Sequence, residues 1–249
     1  MEKIALQMYS LRSLTPGNMI PVLKQVKAMG YDGAEFAGYD GLSARELKAA
    51  MDKIGLVTAG SHVGYDQLTQ NLEDVIAYSQ TLGADYIVCP GARPKPGEDA
   101  ASGWFRIAGE FNEIGKQVAD AGMWFGYHNH SYEFDPVGDT CPEYILFDNV
   151  DPVFVKMQLD TCWVENAGVS ALSVMEKYPA HCRLLHIKEL RRVGEAGDLP
   201  VGQGCIDFPA IIAKGKKLGV TWYTIEYEAE ADDLLDNIAE SLRYLRNIT

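Results

Sequence analysis

KKLGVTWYTIEYE, residues 216–228, contains the plan of the whole chain in thirteen positions. Two lysines and a leucine close an amphipathic stretch. Gly219 follows, a residue that adopts the left-handed, helix-ending conformation without a Cβ clash. Val220 to Ile225 are all β-branched or aromatic, side chains that fit a pleated strand. Glu226 and Glu228 then turn the run polar at its end. The same unit recurs upstream at AMGYDGAEF (Gly30), KIGLVTAGSH (Gly55), TLGADYIVCP (Gly83) and DAGMWFGYHNH (Gly122). Proline replaces glycine at NVDPVFVKMQLD (Pro152) and KYPAHCRLLHIKE (Pro179), where its missing N–H stops a helix equally well.

These junctions and the opening run predict eight strands, near 3–8, 31–36, 56–62, 85–89, 123–129, 153–159, 183–188 and 221–226. Helices are expected between them, near 18–29, 43–53, 68–82, 99–121, 141–148, 170–178, 207–217 and 231–246. Eight alternations of strand and helix predict an α/β fold, a single (β/α)8 TIM barrel over residues 1–249, rather than an open doubly wound sheet. ARPKPGED (92–99) and GEAGDLPVGQG (194–204) are then βα loops at the mouth of the barrel.

Bulk composition excludes some partners. A net charge of −13 argues against nucleic acid and anionic membrane, which both reward positive surface. MEKIALQMYSLRS lacks the basic and apolar segments of a leader, and no apolar run approaches the ~18 residues of a membrane span. Cys89, Cys141, Cys162, Cys182 and Cys205 are odd in number and scattered, a pattern expected of reduced thiols in the cytoplasm.

Catalytic groups of such barrels come from the C-terminal strand ends. Those ends carry Gln7, Glu35, His62, Cys89, His128 and His130, Gln158 and Asp160, His186 and Lys188, and Glu226 and Glu228. Glu133, Asp160, His186 and Glu226 offer three carboxylates and one imidazole. That donor set suits one divalent ion, Mn²⁺, Mg²⁺ or Co²⁺, and tolerates Zn²⁺. Taken singly, each carboxylate reads as a loop residue and His186 as a satisfied core histidine; four together at late strand ends favour the ion.

His128 and His130 share one face if the strand continues, placed to donate to substrate oxygens or to carry protons, or else to order the fifth βα loop. Lys188 is suited to binding a carboxylate or a developing oxyanion, or to pairing with Glu189 or Glu226. His62 and Gln158 are expected to contact substrate. Glu35 is a weaker substrate candidate, with hydrogen bonding in the barrel floor as its alternative. Trp163 is expected to wall the pocket against the C–H face of a sugar.

LQMYSLR, GYDGAEFAGY, YHNHSYEF, LDTCWV, HIKE and the GQGCIDFPAIIAKGKKLGVTWYTIEYE segment together resemble the xylose isomerase-like barrel superfamily, in its sugar phosphate isomerase/epimerase branch. The resemblance runs nearly the full length. It implies a metal-dependent barrel with a Glu, Asp, His, Glu ligand set, and Asp160, His186 and Glu226 fall on matching positions. In many relatives the first ligand lies in strand five, near Gly126 here. For this chain the expected ligand is Glu133 in the following loop, with His128 or His130 as alternatives.

The implied activity is isomerisation or epimerisation of a sugar, keto-sugar or cyclitol by proton abstraction next to a carbonyl, through an enediolate. Glu226, Glu133, His130 and Lys188 are the candidate catalytic groups. The superfamily's ketose 3-epimerases place a metal-bound glutamate on each side of the substrate. Only Glu226 matches that design here, which opens a lyase reading, dehydration of an inosose or a 3-keto-glycoside. A non-catalytic partner subunit is a third reading. An apurinic-site endonuclease of the same barrel type is disfavoured by the acidic charge and by only five histidines. Relatives of this kind also suggest a homo-oligomer.

Overall fold

The computed structural model describes residues 2–194, 199–229 and 232–249. Its strands are β1 (Lys3–Gln7), β2 (Gly33–Phe36), β3 (Val57–His62), β4 (Tyr86–Cys89), β5 (Trp124–His128), β6 (Val155–Asp160), β7 (Cys182–Ile187) and β8 (Trp222–Ile225). All pair in parallel in chain order, and β8 returns to β1 to close an eight-stranded barrel. The helices are α1 (Met19–Met29), α2 (Ala44–Ile54), α3 (Tyr65–Gln70), α4 (Leu72–Leu82), α5 (Ala100–Asp120), α6 (Pro142–Asn149), α7 (Thr161–Asn166), α8 (Ala171–Lys177), α9 (Phe208–Leu218) and α10 (Leu234–Ile248). The predicted (β/α)8 barrel is therefore the observed fold.

Local chemistry explains the rhythm. Gly30, Gly55, Gly83 and Gly219 each end a helix in the left-handed conformation, as the repeat requires. Ser43 and Glu46 form a reciprocal capping box at the start of α2, satisfying two backbone donors at once. Two features depart from expectation. The stretch predicted as one helix over 68–82 breaks at Asn71 into α3 and α4. A short helix, α7, begins directly after β6 where a loop was expected; the Asp160 side chain caps it by accepting from Trp163 N.

The barrel interior is stratified. Ala5, Ala59, Tyr86, Val88, Leu184 and Trp222 form an apolar plug, separate from the larger core between strands and helices. Glycines make room for its rings. A Cβ on Gly60 would lie 2.2 Å from the Tyr86 ring, and one on Gly33 would lie 2.8 Å from Trp222. Above the plug the inward-facing positions become polar, and the site begins there.

Candidate metal centre and active site

Strand register brings the polar residues together. Asp160 pairs with His186 across β6 and β7, and His128 pairs with Gln158 across β5 and β6. Glu226 continues β8, its N–H donating to Ile187 O. His128, Asp160, His186 and Glu226 each present one ligand atom, and these atoms lie within 4.8 Å of one another. His62, His128 and His186 form an overlapping group by the same measure.

The donor set fits a divalent cation. His128 Nδ1 and Asp160 Oδ2 are buried without hydrogen-bond partners, atoms whose isolation costs free energy unless something binds them. Asp160 uses its other oxygen, Oδ1, to cap α7, and Asn129 Oδ1 accepts from Asp160 N at 2.8 Å, so the residue is braced from both sides. His186 Nδ1 lies 3.3 Å from Glu226 Oε2 and 3.8 Å from Asp160 Oδ2. The metal-competent group thus contains three of the residues expected to ligate, with His128 as the fourth.

Glu133 lies elsewhere. It sits in a 3-10 turn, Tyr132–Phe134, fully buried, and its oxygens accept from Tyr127 OH at 2.6 Å and from His130 N at 2.8 Å. Burial raises its pKa despite those hydrogen bonds. In this arrangement Glu133 braces the turn that carries His130.

Electrostatics sort the remaining groups. Burial opposes charge on His186, but Glu35, then Asp160 and Glu226, overrule it and hold its pKa well above the ordinary imidazole value. Burial opposes charge on Glu226 too, yet His186 and Lys188 lower its pKa to about 2. His128 is the opposite case: burial first, then the neighbouring histidines and Lys188, push its pKa well down, so it is a neutral imidazole. Burial likewise lowers His130, against the opposing pull of Asp160 and Glu226.

Above the cluster is a cavity of about 470 Å³, lined among others by Tyr9, His62, His128, His130, Glu226 and Glu228. The His130 ring stacks on Tyr132 at 5.7 Å, with Trp163 5.8 Å away on a tilted plane. Lys188 lies over Trp163 at 4.3 Å and pairs with Glu228 Oε1 at 2.6 Å, rather than with Glu189 or Glu226. Glu35 and Gln158 are fully buried beneath, with no exposure to the cavity. Sequence reasoning overlooked Tyr9, Tyr132 and Asn129. Asn129 lies inside the very HNH run singled out for its histidines, and the resemblance had already flagged YSLR.

Comparison with known proteins agrees with the barrel fold. A sugar phosphate isomerase/epimerase from Parabacteroides distasonis superposes with a TM-score of 0.85 at 25% identity, over 98% of this chain and 93% of that one. D-psicose 3-epimerase from Clostridium cellulolyticum shares the fold, with a TM-score of 0.79 at 16% identity over 99% of each chain. Inosose dehydratase from Bacillus cereus is 27% identical over 89 residues, which is 36% of this chain and only 29% of that protein's length. The family model of the xylose isomerase-like TIM barrel matches residues 23–248, and the chain belongs to that family.

Proposed function

We propose that the protein is a divalent-metal-dependent enzyme that moves a proton next to a carbonyl of a sugar, keto-sugar or cyclitol, acting as an isomerase or epimerase. The observation that carries this reading is the convergence of ligand atoms from His128, Asp160, His186 and Glu226 within 4.8 Å of one another, beside a cavity lined by three of the histidines and two glutamates. These four residues would hold the ion. When bound, it supplies a Lewis acid that polarises a carbonyl and stabilises negative charge on its oxygen.

The chain's own groups do the rest. His130, kept neutral by burial, is the base that takes the proton, its ring held by Tyr132 and Trp163 and its backbone by Glu133. Lys188 donates toward the oxygen on which charge develops. Trp163 offers an apolar face to the C–H side of a sugar. Collapse of the resulting enediolate with proton return gives an isomer or epimer. Loss of a β-hydroxyl instead gives a dehydrated product, a reading favoured by the 89-residue match to inosose dehydratase.

The test is turnover in D₂O of a panel of keto-sugars and inososes by protein loaded with Mn²⁺. One ion per chain and deuterium at a product carbon, dependent on metal, are expected. Asp160→Ala should lose the ion and keep its circular dichroism spectrum. His130→Asn should keep the ion and lose about 10²–10⁴-fold in turnover. Product free of deuterium at every carbon would exclude proton abstraction in favour of hydride shift. A folded protein that binds no ion after loading would sink the metal reading altogether.

A further inference from the structure

Glu35 has an unusual position: it is fully buried at the end of β2, below the cavity, and its carboxylate is surrounded by side-chain nitrogens and one hydroxyl. Oε1 lies 2.6 Å from Gln7 Nε2, 2.7 Å from His186 Nε2 and 3.0 Å from His62 Nε2. Oε2 lies 2.5 Å from Tyr86 OH and 2.6 Å from Gln158 Nε2. A carboxylate only accepts, and amide nitrogens only donate.

The same logic fixes the histidines. His62 Nε2 is also 2.7 Å from Gln158 Oε1, a carbonyl oxygen. It therefore sits between two acceptors and must carry a hydrogen. His186 Nε2 faces the Glu35 carboxylate, which only accepts, and so carries one too. Once it gives up any second proton, as binding an ion requires, a ring of this tautomer has its lone pair on Nδ1. For His186 that nitrogen is the one beside Glu226 and Asp160. For His62, whose ring lines the cavity, Nδ1 is the nitrogen left for substrate.

We propose that Glu35 is a positioning residue that sets two tautomers with one carboxylate. Directly for His186, and together with Gln158 for His62, it holds both rings protonated at Nε2, so that Nδ1 of His186 is the ligand atom and Nδ1 of His62 accepts a hydrogen bond from a substrate hydroxyl. The first half rests on the proposed metal site; the second does not. A carboxylate behind a ligating imidazole fixes ring orientation and raises ligand basicity. Here the same group also defines the polarity of a substrate contact: His62 accepts and does not donate. The position selects glutamate for charge as well as shape, because an amide presents a donor where only donors converge.

The substitution Glu35→Gln makes this concrete. If the new NH₂ replaces Oε1, it meets Gln7 Nε2 and His186 Nε2, and His186 must move its hydrogen to Nδ1, the nitrogen that would bind the ion, while His62 keeps Gln158 Oε1 as an acceptor. If it replaces Oε2, it meets Gln158 Nε2, Gln158 turns over, and His62 keeps the amide oxygen at Oε1 as an acceptor. In either arrangement His62 loses one of its two acceptors but keeps its Nε2 hydrogen, and the negative charge behind His186 is gone.

The experiment is long-range ¹⁵N–¹H correlation of the imidazoles in ¹⁵N-histidine protein, with Zn²⁺ as the diamagnetic probe and its affinity measured by competition with a chelator. In Zn²⁺-loaded wild type, both His62 and His186 should be protonated at Nε2. Glu35→Gln should keep His62 protonated at Nε2 and weaken Zn²⁺ binding about 10–100-fold. Gln7 hydrogen-bonds the same carboxylate, and Gln7→Leu should leave both tautomers and the Zn²⁺ affinity in place. Wild-type His62 protonated at Nδ1, an unchanged Zn²⁺ affinity in Glu35→Gln, or an equal loss of affinity in Gln7→Leu would each overturn the proposal. The wild-type spectrum decides even if Glu35→Gln fails to fold. Failure of wild type to bind Zn²⁺ would overturn the proposed function and the His186 half, while the His62 tautomer would still decide the other half.

Discussion

Glu143, in the first turn of α6, is fully buried, and neither of its carboxyl oxygens has a hydrogen-bond partner. Burial, with Glu133 nearby, raises its pKa well above the ordinary carboxylate value. A glutamate in an unfolded chain titrates near about 4.3. Above that pH the native state holds more protons than the unfolded one, so stability falls as pH rises, by up to about 1.4 kcal/mol per pH unit until the native pKa is passed. The stabilising neutral form is thus complete below the unfolded pKa and lost through the window above it. Glu143→Gln mimics the protonated acid. It should match wild type in urea melts at pH 4 and exceed it increasingly from about pH 5 upward. Parallel stability curves across that range would show that Glu143 is not held neutral. Residue-scale legibility followed a similar divide. Asp160, His186 and Glu226 were readable because strand ends have a fixed period and place side chains inward. The direction of Glu133 was not, because a 3-10 turn, not a strand, aims it. His128 was readable as inward only by counting two residues on from Gly126 along β5.

At the scale of elements, residues 199–206, ahead of α9, show how a single side chain orders the described end of a Gly-rich loop. Glu189, the last residue of HIKE, is buried and accepts from Leu190 N at 2.9 Å, Gly202 N at 2.8 Å and Ile206 N at 3.4 Å. Gly204 packs against it so closely that a Cβ would fall 2.4 Å from Glu189 Oε1. Sequence reading recognised the loop from its glycines but gave Glu189 only a pairing with Lys188, since hydrogen bonds to backbone leave no periodic trace. Helix α7 was missed for a related reason. Asp160 was read as a ligand, and six residues are too few to show a helical period. Glu189→Ala would strand the buried amides of Leu190 and Ile206, at about 1–3 kcal/mol for each, and free that of Gly202 to water. Hydrogen exchange at Gly202 and Cys205 should therefore accelerate by ten-fold or more, with the amides of β3 unchanged. Equal protection in wild type and variant would mean that the loop is ordered by other contacts, such as Val201 N to Ser241 Oγ.

At the scale of the molecule, closure decides stability. The barrel is complete only where β8 meets β1, and α10 covers the ground beside that seam. Ile238 O accepts from Tyr31 OH, and Arg246 reaches back to Asp32 at 2.6 Å and to Glu2 O at 3.3 Å. The alternation of strand and helix made this architecture legible from one end of the chain to the other, because each repeat carries its own stop signal and its own apolar run. Closure followed from the count of eight repeats, but the pairs that make it were not visible, since they join residues more than two hundred positions apart. Leu234, Ile238, Leu242 and Leu245 are the buried apolar face of α10. At about 1.5–3 kcal/mol for each buried side chain, that face contributes on the order of 6–12 kcal/mol. Total stabilities of folded domains are about 5–15 kcal/mol. Removal of residues 234–249 should therefore abolish the cooperative thermal transition seen by near-ultraviolet circular dichroism, even though every ligand of the proposed metal centre remains in the chain. Arg246→Met, which removes the ion pair to Asp32 and leaves the apolar face intact, should lower stability by only about 0.2–1 kcal/mol because that pair is partly exposed. A truncated chain that still melts cooperatively would place the stability of the barrel in its sheet and plug rather than in the helix that covers the seam.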